Sequence, residues 1–411
     1  MISDITGNRR KRLNQYMNDR EAVILFANKE GNLEKFSQDN NFLYLTGLMV
    51  PDAIFVLVKS GETLSEHLFI ERGIPEREVW DGKKMTPDEA SEISGIAKVH
   101  FLDEFYDYLG SFALSVTKIY ANIGTPSLMA PPSLPMFKLQ PLRERFPQIV
   151  IENVNNLLTP LRKVKDEWEI MQLQRAIDIT GKGILDIMES ARVGMMEYEL
   201  EAILFYRMQR SGAKNWGFSP IIASGVNAAT LHYKKNECRI ENNEVVLLDV
   251  GASYMNYSAD ITRCFPIGMS FTERQKAVYN AVLNVQKQII AMIKPGVALS
   301  HLQITTRELI TEALIALGLI EDPDQFFKYY MHGVSHFLGM DTHDLGGREA
   351  ILEPGNVITV EPGIYIPEER LGIRIEDDVL VTEDGYCVLS QNIPKETDEI
   401  EAIRQTALNE Q

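Results

Sequence analysis

Val245–Val–Leu–Leu–Asp249–Val–Gly251 followed by Ser258–Ala–Asp260–Ile–Thr–Arg263 reads as a β-hairpin with two acids set into apolar strand sequence. A second stretch repeats the plan: Val357–Ile–Thr–Val–Glu361–Pro–Gly363, then Gly372–Ile–Arg–Ile–Glu376–Asp–Asp378. Carboxylates among valines, leucines and isoleucines are costly to bury unless hydrogen bonds or a cation compensate them. Four at once call for cations.

Laid over each other, the hairpins match Asp249 with Glu361, Gly251 with Gly363 and Asp260 with Glu376. Each follows a pair of helical segments. Before the first come a helix from about Val164, with Trp168, Met171, Ile177, Ile184 and Met188 as its apolar face, and a helix from Glu197 to about Arg210. Before the second come helices from the N-cap Thr272 to Ile293 and from Ser300 to Leu317. The pattern predicts an internal duplication about a pseudo-two-fold axis, with the site straddling it.

If each hairpin turns symmetrically, Asp249 faces Asp260 across a turn centred at Tyr254–Met255, and Glu361 faces Glu376 across one centred at Glu368–Glu369. Facing residues share one side of the sheet, with Cβ atoms about 4.5–5.5 Å apart. His336, in the intervening segment, adds an imidazole. Four oxygen donors and one nitrogen exceed what one tetrahedral zinc needs, and suit two divalent ions about 3.5–4 Å apart. Hard oxygen ligands point to manganese first, with cobalt, iron and zinc also compatible. Arg374 is expected to orient the ligands from behind.

The rest of the chain sets bounds. The 411 residues, 45% hydrophobic and 24% charged, suit a globular protein of two or three domains. A net charge of −17 argues against nucleic acid or an anionic membrane as partner. No stretch reaches the roughly 18 apolar residues of a membrane span, and the opening residues do not read as a signal peptide, so a cytoplasmic location is expected. Cys238, Cys264 and Cys387 fit no zinc knuckle or disulfide framework, and are expected to be reduced and buried. The basic run Arg9–Arg12 reads as the solvated face of a first helix. Residues 1–155 read as an α/β domain, with strands at Ala22–Ala27, Phe42–Gly47 and Ala53–Val58, and residues 156–411 as an α+β domain built on the duplication.

The segments LLDVGA, SADITRCF, HGVSHFLGMDTHD, TVEPGIYIP and GIRIEDD resemble the pita-bread metallopeptidases, and within them the Xaa-Pro aminopeptidases (aminopeptidase P). SQDNNFLYLTGLMVPDA at 37–53 and EREVWDGKKM at 76–85 are similar to that group's N-terminal domain, so the resemblance spans nearly the whole chain. It implies a pita-bread catalytic domain in which Asp249 holds one ion, His336 and Glu361 the other, and Asp260 and Glu376 bridge them. It further implies that Glu361 carries a proton from an attacking water to the leaving proline nitrogen. By the same resemblance, His232 and His343 line the scissile bond, His332 shapes the prolyl pocket, and Tyr365 with Arg374 braces the ligands. Trp80 would reach a neighbouring subunit's active site, as a substrate-binding residue, in a dimer or tetramer, with plain core packing as the alternative. Substrates would be peptides with proline second. A prolidase shares the ligands and stays open as an alternative, as does a non-catalytic binding scaffold. Methionine aminopeptidase and creatinase fit less well. Ser37, Asn40 and Asn41 depart from the family pattern, and the stretch between Phe26 and Gln38 is shorter than usual.

Overall fold

The chain divides into two units, residues 1–161 and 162–411, with the break before the last residue of helix Asn155–Arg162. The structure, a computed structural model, describes residues 2–31, 35–124, 129 and 131–409. The shortened stretch between Phe26 and Gln38 lies partly outside the described residues. No helix among them is long and apolar enough to cross a membrane.

In the first unit, six strands form one mixed sheet in the spatial order Val99–Phe101, Thr63–Ile70, Ile54–Ser60, Glu21–Phe26, Lys118–Ala121, Val150–Asn153. Glu21–Phe26 is buried along its whole length, as a central strand covered on both faces must be. Ile24, Phe26, Val56, Phe69, Phe105 and Ile119 belong to its core. The α/β expectation holds for this unit.

Two local readings need correction there. Phe42–Gly47 is not a strand: Asn40–Thr46 is a helix, with Asp39 accepting from Phe42 N at its start and left-handed Gly47 at its end. Both caps outweigh the β-propensity of the apolar run. The basic run is not wholly solvated either. Arg9 and Arg10 are buried, Arg10 donating to Leu45 O at 2.7 Å and pairing with Glu66 at 3.0 Å, while Arg9 lies over the Tyr44 ring.

In the second unit the helix pair and hairpin recur as the sequence suggests. Helices Glu167–Ser190 and Glu197–Arg210 precede a sheet of Ile221–Ser224, Val245–Val250 and Ile261–Pro266. Helices Glu273–Ala291 and Leu299–Ala316 precede a sheet of Val357–Val360, Asp377–Val381 and Tyr386–Val388, with a two-stranded ribbon, Gly363–Ile366 and Leu371–Arg374, beside it. Matching capping boxes start the first helix of each pair: Asp166 with Glu169, and Thr272 with Gln275. A last helix, Thr397–Asn409, follows. Met171 departs from its expected apolar face and is 59% exposed. Among the cysteines only Cys264 is buried; Cys238 lies in a loop and Cys387 on a short outer strand, both exposed.

Candidate metal centre

Register decides which acids meet. In the second hairpin Val360 pairs with Asp377 and Gly363 with Arg374, so Glu361 stands opposite Glu376 as expected. The first hairpin is shifted by one residue about its turn. Tyr254 pairs with Tyr257, and Asp249 pairs with Thr262 rather than Asp260. The cause is the two-residue turn Met255–Asn256, with φ of 51° and 62°, the left-handed pair that a tight hairpin uses. Asp260 is then diagonal to Asp249, still within reach on the same side. Gly251 makes this possible: a Cβ there would lie 1.8 Å from Ala259 O.

The hairpins are stitched together at Thr262. Its hydroxyl donates to Glu376 Oε2 at 2.7 Å, its carbonyl accepts Glu376 N at 3.1 Å, and Arg374 Nε donates to its Oγ1 at 3.2 Å. The sequence reading missed Thr262, although its place two residues beyond Asp260 in a strand was a usable signal. His336 Nε2 lies 3.4 Å from Asp260 Oδ2 and 3.5 Å from Glu361 Oε1. Its Nδ1 faces Phe337 O at 3.0 Å, so the carbonyl takes the Nδ1 hydrogen and leaves Nε2 toward the acids.

Asp260, His336 and Glu376 each offer a donor atom within 4.8 Å of the others. Burial pushes Asp260 up to about 6, with the Asp249 charge adding and the His336 hydrogen bond opposing. Burial likewise lifts Glu361 to about 7, with the Asp260 and Asp249 charges adding. Glu376 is raised well above the carboxylate range by burial and then by Asp260, Glu361 and Asp249. For His336 burial works against the charge, but the hydrogen bond and charge of Asp260, with the charge of Glu361, raise it to about 9. Asp249 Oδ1 is buried without a hydrogen-bond partner, although Oδ2 takes Arg374 Nη2 at 2.5 Å. An oxygen-rich set, an orphaned carboxylate oxygen and one oriented imidazole fit divalent cations.

All five residues line a cavity of about 910 Å³, with His232, His332, His343 and Arg374. Phe218, Leu231, Leu299 and Phe337 supply apolar wall. Tyr365 is buried behind it: its hydroxyl accepts from Arg374 Nη1 at 2.9 Å and bonds His332 Nε2 at 2.8 Å. Burial, reinforced by the Arg374 charge, lowers His332 to about 4, so its ring is neutral and accepts the Tyr365 hydroxyl hydrogen. His343 sits between Asp341 and Asp344, both bound by the buried Arg162 guanidinium at 2.6 and 2.5 Å. Trp80 belongs to the first unit and is not among the cavity's lining residues. Helix Glu78–Asp81 leaves it 85% exposed, which excludes core packing within its unit.

Residues 171–383 match metallopeptidase family M24, and residues 6–120 match the aminopeptidase P N-terminal domain. The chain belongs to metallopeptidase family M24. It is 37% identical to mouse Xaa-Pro aminopeptidase 3 over 390 residues, 90% of this chain and 76% of that protein. It is 31% identical to the Xaa-Pro aminopeptidase of Escherichia coli over 423 residues, 96% of each. Aminopeptidase P from E. coli in its low-pH form superposes with a TM-score of 0.92 at 30% identity, covering 99% of both chains. The family's pita-bread fold and N-terminal domain are thus both present, and the chain is a metal-dependent hydrolase of the M24 type.

Proposed function

We propose that the chain removes the first residue from peptides whose second residue is proline, using two divalent ions held by Asp249, Asp260, His336, Glu361 and Glu376, manganese first among them. The observation that carries this reading is the convergence of these five side chains on one cavity, with Asp249 Oδ1 left unpartnered. Bound there, the cations would supply Lewis acidity and lower the pKa of a water.

The chain's own residues do the rest. Glu361 faces the cavity, where its carboxylate would take the proton of an attacking water and deliver it to the departing nitrogen. That nitrogen is a proline imide with no hydrogen of its own. His232 and His343 line the same cavity and would donate hydrogen bonds to the carbonyl oxygen as charge grows on it. His332 presents a neutral ring packed edge-on to Tyr330 and Tyr365, a surface suited to a prolyl ring. Arg374 and Tyr365 keep Asp249 and His332 in place. Trp80, large and exposed, would reach into the active site of a neighbouring copy in a dimer or tetramer and touch the substrate there, which sedimentation and kinetics of wild type and Trp80→Ala test.

Incubation of the manganese-loaded chain with Arg-Pro-Pro beside a Xaa-Pro dipeptide, with and without chelator, tests the activity. Release of arginine from the tripeptide is expected. Cleavage of the dipeptide alone would make the chain a prolidase, and no cleavage together with no stoichiometric metal would make it a binding scaffold.

A further inference from the structure

The segment that carries His232 is tied down at one carboxylate that belongs neither to the metal ligands nor to the cavity wall. Glu197, the first residue of helix Glu197–Arg210, is fully buried. Its Oε1 accepts from Ser224 N and Ser224 Oγ, each at 2.8 Å, and from Asn227 Nδ2 at 3.0 Å. Its Oε2 accepts from Tyr233 Oη at 2.7 Å and Cys238 N at 3.0 Å. Burying an anion is costly unless donors surround it, and here neutral donors and a helix N-terminus supply that compensation. These partners span residues 224–238, so one group gathers both ends and the middle of the segment. Tyr233 is buried, and its neighbour His232 is exposed to the cavity.

The same segment rests on the second hairpin. A Cβ at Gly372 would lie 2.0 Å from Ala228 O, so the turn Gly225–Ala229 packs directly on the strand Leu371–Arg374. His232 is therefore placed from two sides, by that strand and by Glu197.

We infer that Glu197 is a positioning residue for the reaction: its carboxylate fixes the 224–238 segment so that the His232 ring meets the substrate. It touches no reacting atom. The inference rests on the role proposed above for His232. Charge matters here as well as shape. A glutamine has one accepting oxygen, and its NH2 would oppose an amide hydrogen at either Ser224 or Cys238. Glu197→Gln thus keeps the volume and breaks the clamp.

The test uses the full manganese-loaded chain and Arg-Pro-Pro, comparing wild type, Glu197→Gln, His232→Ala and the double variant. Misplacing a group by a fraction of an ångström to 1 Å predicts a kcat loss on the order of 10- to 100-fold for Glu197→Gln, with little change in KM and unaltered metal content. In the double variant, kcat is expected to match that of His232→Ala within about twofold, because residues that act through one another are not additive. If the two losses multiply, or Glu197→Gln retains wild-type kcat, the inference is overturned while the role of His232 stands. Full activity in His232→Ala would overturn that role and the inference together. Should Glu197→Gln fail to fold, Tyr233→Phe, which removes one donor of the five, takes its place with the same cycle. A several-fold kcat loss that disappears in the His232→Ala background is expected, and losses that multiply overturn the inference.

Discussion

Arg263→Met withdraws the cation from a buried network directly behind Glu376. The guanidinium is fully buried and donates to Thr262 O at 3.0 Å, Glu376 O at 2.5 Å, Ile393 O at 3.2 Å and Pro394 O at 3.0 Å. It also bonds Asp377 Oδ1 at 2.7 Å. Removing one partner of a buried ion pair costs about 3–5 kcal/mol. Asp377 would retain Lys395, Ser390 and Gln286, which places the loss near the lower figure. The stranded carbonyls add about 1 kcal/mol each, less where water or a shift relieves them, for a total of about 5–6 kcal/mol. At about 2–4 °C per kcal/mol in a domain of this size, the melting temperature falls by roughly 10–24 °C. Differential scanning calorimetry of the metal-free chain measures it. Arg263→Lys should recover part of the loss, since a lysine keeps the charge but not the fork of donors. A fall of less than about 3 °C for the methionine variant would refute the idea that this guanidinium holds the hairpins together.

Gly251→Ala is expected to push the strands of the first hairpin apart, since its Cβ would meet Ala259 O at 1.8 Å. Metal stoichiometry by elemental analysis should fall, along with a stability loss of at least about 1–3 kcal/mol in a urea titration. Manganese should raise the unfolding temperature in proportion to the logarithm of its concentration, by about 2.7 kcal/mol of stability at 100 times Kd, and a chelator should reverse this; a flat response would remove the case for a metal site. In the first unit, burial, with the Lys98 and His100 charges adding, lowers His67 to about 4. The unfolded chain therefore binds the extra proton between about pH 6.5 and 4, and the contribution of His67 present above that window is lost as pH falls through it. His67→Asn should flatten the pH dependence of stability there, by a slope of at most about 1.4 kcal/mol per pH unit.

The site's chemistry was legible because ligands announce themselves by type. Acids inside strands of valine and isoleucine, with a histidine segment between, needed only local spacing to be found. The second hairpin's register followed from symmetry about its turn, whereas the first slipped because Met255 and Asn256 both take left-handed backbone. Asn256 was a signal for that turn that the symmetric reading did not use. The helix Asn40–Thr46 was hidden by its apolar composition, although its caps, Asp39 and Gly47, stood in plain sequence. Arg9 and Arg10 could not be placed from sequence at all, because the Tyr44 ring, Leu45 O and Glu66 that hold them lie 35 or more residues away.

The same distance in sequence conceals what gives the duplicated scaffold two unlike ends. Like residues from the two hairpins meet in the cavity, and a site with only that symmetry could not tell a peptide's first residue from its second. The braces supply the difference. Arg374, from the second hairpin, crosses to Asp249 of the first and reaches back through Tyr365 to His332. That chain backs His332 and the cavity wall beside it with the Tyr365 ring. Other groups are held otherwise: the segment that carries His232 is tied through Tyr233 to the carboxylate of Glu197, and His343 sits between two acids clamped by Arg162. None of these anchors has a counterpart at the matching position of the other half: Glu197 falls on Leu299 when the helix pairs are aligned at their starts, and Arg374 falls on Ser258 when Glu376 is laid on Asp260. On the proposed reading, discrimination between the peptide's residues depends on positions that escaped duplication, and a substitution at Glu197, which touches no proposed metal ligand, should alter turnover while leaving the metal count unchanged.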